Sequence, residues 1–280
     1  MANFFGMGNY AKPGSGISKD EPQKYSFFLF FELYFRKFWK LCEINILYFV
    51  FCIPLFIPCF LSRMYQSGNQ SLFYLSLLPL LGIPVITSGL AYILLNFVRQ
   101  QHIFLWTDFI DTIKNNWRQS LVIGVIDFVI YLIMLFSINF YHSLLSVNSW
   151  YMLLLTASIL SIIIFTFMQY YLYVMLISFE LTIKQLFKNA LIFSFTGFGH
   201  NIIITLFCGL LVLAVYLFAP ISALFIPFIL ISSFGFIITF NAWLVIKKYM
   251  SPNDTTNCEL NNGKGKVVVF KDTDSINRNK

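Results

Sequence analysis

Asp127 sits inside a predominantly apolar run, Leu121–Tyr141. A carboxylate in hydrocarbon is costly, so its presence there points to a job. It can bind a proton or cation, or pair with a Lys of a neighbouring loop. The plainer reading is a hydrogen-bonded carboxylate that ties helices together. Glu43 and Glu180 fall at the ends of apolar runs and can reach the headgroup layer. Asn45, Asn96, Asn139, Gln169, Asn201 and Asn241 can join helices by hydrogen bonds.

Other chemistry is sparse. There is no HExxH, no GxSxG and no Gly-rich phosphate loop. His102, His142 and His200 are scattered, and Asp127 has no second intramembrane Asp beside it. Five cysteines form no CxxC pair, so neither a zinc site nor a disulfide framework is expected. The sequence therefore names no catalytic, cofactor-binding or metal residue. It is read as a non-enzyme.

The elements that carry Asp127 follow from hydropathy. Hydrophobic residues make up 58% of the chain and charged ones 11%, against about 25% charged in soluble domains. Mean hydropathy is +0.75. The apolar residues form runs of bilayer length, and helices satisfy their own backbone groups in lipid. Six spans are expected: Leu41–Leu61, Leu72–Val98, Leu121–Tyr141, Trp150–Phe179, Ile202–Phe218 and Ile221–Ile246. Pro54 and Pro58 should break the first, Pro79 and Pro84 the second, and the sixth carries Pro227. Broken spans can build midplane ion or substrate sites, though simple kinks are commoner.

Charge orients the spans. Eighteen of the nineteen Lys and Arg residues fall on one side of this arrangement, and only Arg63 lies opposite. Positive residues stay cytoplasmic during insertion. The expected fold is an all-α polytopic membrane helix bundle of six transmembrane helices, with both termini inside. Residues 1–40 form a cytoplasmic segment, 41–247 the membrane domain, and 248–280 a basic tail expected to stay disordered. No cleavable signal peptide is apparent. The net charge of +7 suits anionic lipid at the inner leaflet better than nucleic acid, for which no motif is present.

Three cytoplasmic stretches have character. In Phe27–Trp39 the aromatics follow helical spacing, so an amphipathic helix should lie in the headgroup layer or dock a partner. In Arg99–Ser120, Thr107 or Asp108 could cap a short helix running toward Trp117, with Phe109, Ile113 and Trp117 on one face. That segment would lie along the inner membrane surface as a coupling helix or a solvated linker. Ile113-Lys114-Asn115 with Ser120 is echoed 74 residues later by Phe187-Lys188-Asn189 with Ser194. Parallel repeats of this kind occur in transporters.

The run Lys12-Pro13-Gly14-Ser15-Gly16, then FFELYFRKFWKLCEINILYFVFCIP, then IPVITSGLAYILLNFVRQQHIFLWTDFIDTIKNNWRQS resembles the YesL-like integral membrane proteins, a domain-of-unknown-function family of Gram-positive bacteria. The resemblance covers roughly residues 3–250 and is strongest over Pro84–Tyr92 and Arg99–Ser120. Pro84, Thr87 and Gly89 match a Pro-x-x-Thr-x-Gly pattern, and Trp106, Asp108, Phe109 and Asn116 the motif after it. The first span has no Thr-x-Gly after Pro54. The resemblance implies a multi-pass protein of the bacterial plasma membrane. It further implies an accessory role in carbohydrate ABC uptake or its sensing, with a sugar ABC transporter or sensor kinase as partner. No catalytic residue is implied. The chain lacks the Glu-Ala-Ala coupling motif of sugar permeases. Arg99, Trp106, Asp108, Phe109, Asn116, Lys188 and Asn189 are then the candidate partner-coupling residues. Autonomous transport of a small solute or ion through Asp127 is the rival expectation.

Overall fold

The computed structural model describes residues 26–64, 78–146, 148–219 and 225–250. The basic tail, the Lys12–Gly16 run and most of the loop holding Arg63 lie outside them. The described residues form eight α-helices and one π-helical turn. These are α1 Ser26–Arg36, α2 Phe38–Met64, α3 Leu78–Val98, α4 Leu105–Leu144, α5 Tyr151–Ser178, α6 Ile183–Thr196, α7 Phe198–Leu217 and α8 Ile231–Met250, which follows the π turn Ile226–Leu230. Six helices are long and apolar enough to cross a membrane: α2, α3, α4, α5, α7, and α8 with its π turn. The protein is an all-α membrane helix bundle.

The chain divides into two compact units after Arg36. In the first, α1 carries its aromatics at helical spacing, with Phe27 edge-on to Phe31 at 5.0 Å and Phe31 stacked on Phe35 at 6.3 Å. Glu32 lies 3.8 Å from Arg36, one turn along.

In the second unit, α2, α4, α5 and α8 pack around α3. Core side chains include Leu95, Ile123, Tyr171, Met175, Leu186 and Ile246. The buried residues of α5 run from Phe165 to Leu176, all in its second half. Those of α4 stop at Asp127. Beyond these points Leu132, Ile133 and Phe136 of α4 and Met152, Leu153 and Leu160 of α5 are exposed. Large apolar side chains on the outside of a spanning helix are what lipid accepts.

The helix ends follow local chemistry. At the end of α3, Gln100 N–H donates to the Phe97 carbonyl and Gln101 N–H to the Asn96 carbonyl. This is a Schellman cap, whose turning residue needs left-handed backbone. Gln100 supplies it at φ 58° without being a glycine. Before α6, Gln185 Oε1 accepts from both the Thr182 N–H and hydroxyl, at 3.0 and 2.9 Å. Between α6 and α7, Gly197 is needed for space, because a Cβ there would collide with the Tyr171 hydroxyl.

Several sequence expectations change. The short coupling helix and the third span are one helix, α4, of 40 residues. At ~1.5 Å per residue it is about 60 Å long, twice the ~30 Å hydrocarbon core. Nothing stops it: Leu105–Leu144 contains no proline and a single glycine, Gly124. Neither Thr107 nor Asp108 is its cap residue. The helix starts three residues earlier than Asp108, whose Oδ2 reaches back to accept the Phe104 N–H at 2.9 Å. Pro79 sits in the first turn of α3, where a missing N–H costs nothing, so it breaks no helix. Likewise α2 runs through Pro54 and Pro58 as one helix. The interruption that does occur is in the sixth span, where Pro227 lies in the π turn.

Candidate functional site

The hairpin of α3 and α4 gathers most of the motif residues. Pro84 of α3 lies so close to Gly124 of α4 that no side chain fits at 124. One and a half turns further along α3, a Cβ on Gly89 would stand 3.0 Å from both Phe109 and Ile113 of α4. Small residues at such crossings let helix backbones approach. Between them Thr87 bonds back to the Ile83 carbonyl at 2.8 Å and meets the Tyr48 hydroxyl of α2 at 3.1 Å. The Pro-x-x-Thr-x-Gly pattern is therefore a packing device: its three residues face α4, α2 and α4 again.

The motif of α4 divides in two. Phe109 is fully buried and stands 5.4 Å from the Phe51 ring. Asp108 is committed to the helix start through Phe104. Asn116 is half-buried and donates to the Thr112 carbonyl of its own helix at 3.1 Å. Trp106 differs: its ring touches Phe51 at 6.4 Å but remains 61% exposed. Asp111, Lys114, Asn115, Trp117 and Arg118 are exposed as well. The first half of α4 thus has an inner face locked to α3 and an outer face of charges, amides and tryptophans.

Arg99 stands at the α3 cap. Its Nη2 donates to the Ser178 hydroxyl at the end of α5, at 3.0 Å. Its Cζ lies 4.0 Å from the ring centroid of Trp243 on α8, within cation–π range. Burial pulls its pKa below the ordinary arginine value. A guanidinium nevertheless stays charged at neutral pH. Arg99 thereby links three spans. The sequence offered little warning of the Trp243 contact beyond a tryptophan one turn before Lys247.

Lys188 and Asn189 lie on α6, Lys188 exposed and Asn189 half-buried. Among the described residues, no hydrogen bond or ion pair joins them to Arg99 or to the α4 motif.

Asp127 is buried, and its Oδ1 accepts from Gln169 Nε2 of α5 at 2.8 Å. Tyr131 and Tyr173 lie within electrostatic range of it. At the 74-residue offset of the sequence echo, Asp127 corresponds to Asn201 of α7. Asn201 is fully buried; its Oδ1 accepts from the Tyr171 hydroxyl of α5 at 2.7 Å and from Asn241 at 3.4 Å, and its Nδ2 donates to the Ser194 carbonyl. Among the echoed pairs, Lys114 and Lys188 are both exposed and Ser120 and Ser194 both buried, whereas Asn115 is exposed and Asn189 half-buried. The two halves differ at Gly197, where α6 ends and α7 begins, whereas α4 continues.

One polar junction went unrecognised as such in the sequence. Asn45 of α2 donates to the Ile226 carbonyl at 2.9 Å and accepts the Ser232 N–H at 2.7 Å. A π turn leaves backbone groups of its helix without their usual partners. One side-chain amide, fully buried, closes both ends of this one. Asn139, also expected to join helices, bonds only within α4, to the Leu135 carbonyl.

Residues 64–138 match the model of a family described as a protein of unknown function, DUF624. No curated protein and no solved structure matches the chain. The matched segment covers about a quarter of the sequence, and it holds the whole Pro84–Gly89 pattern, the α4 motif, Gly124 and Asp127; in this segment the chain is similar to that family.

Proposed function

We propose that this chain is a non-enzymatic accessory protein of the bacterial plasma membrane, akin to the YesL-like proteins. Both termini lie in the cytoplasm, and the first half of α4 presents a docking face to a carbohydrate ABC transporter or its sensor kinase. The carrying observation is the two-faced character of that helix. Its inner face is fixed by Phe109 and Gly89, while Trp106 and Trp117 stay 61% and 47% exposed among Asp111, Lys114 and Arg118. Exposed tryptophans beside charges on a rigid support are the composition of binding hot spots. The positive-inside pattern of the Lys and Arg residues supports a cytoplasmic position for this face. The test is co-purification from the native membrane after mild crosslinking. A double variant, Trp106→Ala with Lys114→Ala, should deplete a transporter or kinase subunit at least severalfold. Equal recovery with wild type would remove the reading.

Autonomous movement of a solute or ion is the second reading. Its support is a buried Asp127 and a span opened by a π turn. Proteoliposome flux that Asp127→Asn abolishes would favour it. The accessory reading is preferred because Asp127 is already engaged by Gln169 and the π turn is closed by Asn45.

A further inference from the structure

We propose that the Arg99 junction is a binding site for a phosphate group, chiefly that of an anionic phospholipid headgroup. The site is built where α3, α5 and α8 meet. Ser178 and Trp243 hold the guanidinium from two sides. Its Nε is buried with no hydrogen-bond partner. No carboxylate among the described residues lies within ion-pair distance, and Glu180, two residues past Ser178, is exposed and unengaged with it. The C-terminal ends of α3 and α5 favour a cation here, yet neither gives Nε an acceptor.

A second cation lies one helical turn from Trp243. Lys247 follows Trp243 by four residues on α8, so it lies on the same face one turn further along. It is half-buried and has no ion-pair partner among the described residues. A guanidinium against Trp243 and an ammonium one helical turn further along α8 offer two sources of donors, which suits the several oxygens of a phosphate. Depth points to lipid as the source. Arg99 directly follows Val98, the last residue of its span, and span ends lie at headgroup level. Basic pockets between spans bind anionic headgroups in this way.

The test uses the full chain, purified in mild detergent. Native mass spectrometry would follow retention of phosphatidylglycerol against phosphatidylcholine, and thermal unfolding would be read with and without inorganic phosphate. Wild type should keep phosphatidylglycerol selectively. Arg99→Gln and Lys247→Gln should each weaken retention by roughly fivefold, whereas Lys184→Gln, exposed on α6, should not. Arg99→Lys, which keeps charge but loses the planar fork, should fall between. If Arg99→Gln fails to fold, Lys247→Gln carries the comparison. An Arg99-dependent thermal shift with inorganic phosphate, without lipid selectivity, would support the site with a soluble source. Equal retention in all variants, with no phosphate shift, would overturn it.

Discussion

Gln169 donates a hydrogen bond to Asp127 across the α4–α5 crossing at 2.8 Å. A charge-capable side chain inside the bundle is thereby satisfied by a neutral amide from the next span. The pair connects two helices that also meet through Tyr131, edge-on to Phe165 at 5.0 Å.

Removing either partner should have unequal effects. Gln169→Leu leaves Asp127 buried without its donor and should cost about 1–3 kcal/mol. Asp127→Asn keeps an acceptor in place and should cost less than about 1 kcal/mol. Thermal unfolding in mild detergent would compare the two. A larger loss for Asp127→Asn would mean that the charge itself matters, as transport requires.

Asn45 should be among the most sensitive positions. Asn45→Leu loses both bonds together, to the Ile226 carbonyl of the π turn and the Ser232 N–H of α8. A destabilisation of about 2 kcal/mol or more is expected. Unfolding of the variant within experimental error of wild type would contradict the clamp.

The α3–α4 crossing admits no side chain at Gly124. Gly124→Ala sets a methyl against the Pro84 ring, and overpacking of this kind costs about 1–3 kcal/mol. Gly199, with open space around it, is the matched control, where alanine should be neutral or mildly stabilising. The two melting temperatures check the argument.

Gln100 holds left-handed backbone that a glycine adopts freely. Gln100→Gly should therefore gain up to about 1 kcal/mol, whereas Gln100→Val should lose at least as much. A drop in stability for the glycine variant would show that the glutamine side chain contributes more than the turn costs.

Much of this bundle is legible in the chain because lipid makes a simple demand. Every span must be a long apolar helix, and runs such as Ile159–Phe167 state it directly. The continuity of α4 was not legible. Lys114-Asn115-Asn116 and Arg118-Gln119 look like a loop by polarity, yet they occupy the outer face of a helix that Phe109 and Thr112 anchor on the other side. The Asn45 clamp was hidden for a different reason: its partners lie 181 and 187 residues away, and no local pattern encodes so distant a meeting. Of the candidate site, Asp127 was visible as an anomaly in an apolar run. The Arg99–Trp243 contact required the third dimension.

Site-specific photocrosslinking in native membranes, with the reactive group at Trp106 and, as comparison, at exposed Phe136, tests the docking face. Position 106 should capture a subunit of a carbohydrate transporter or sensor kinase that position 136 does not. Capture of lipid alone at position 106, with no protein adduct, would contradict it.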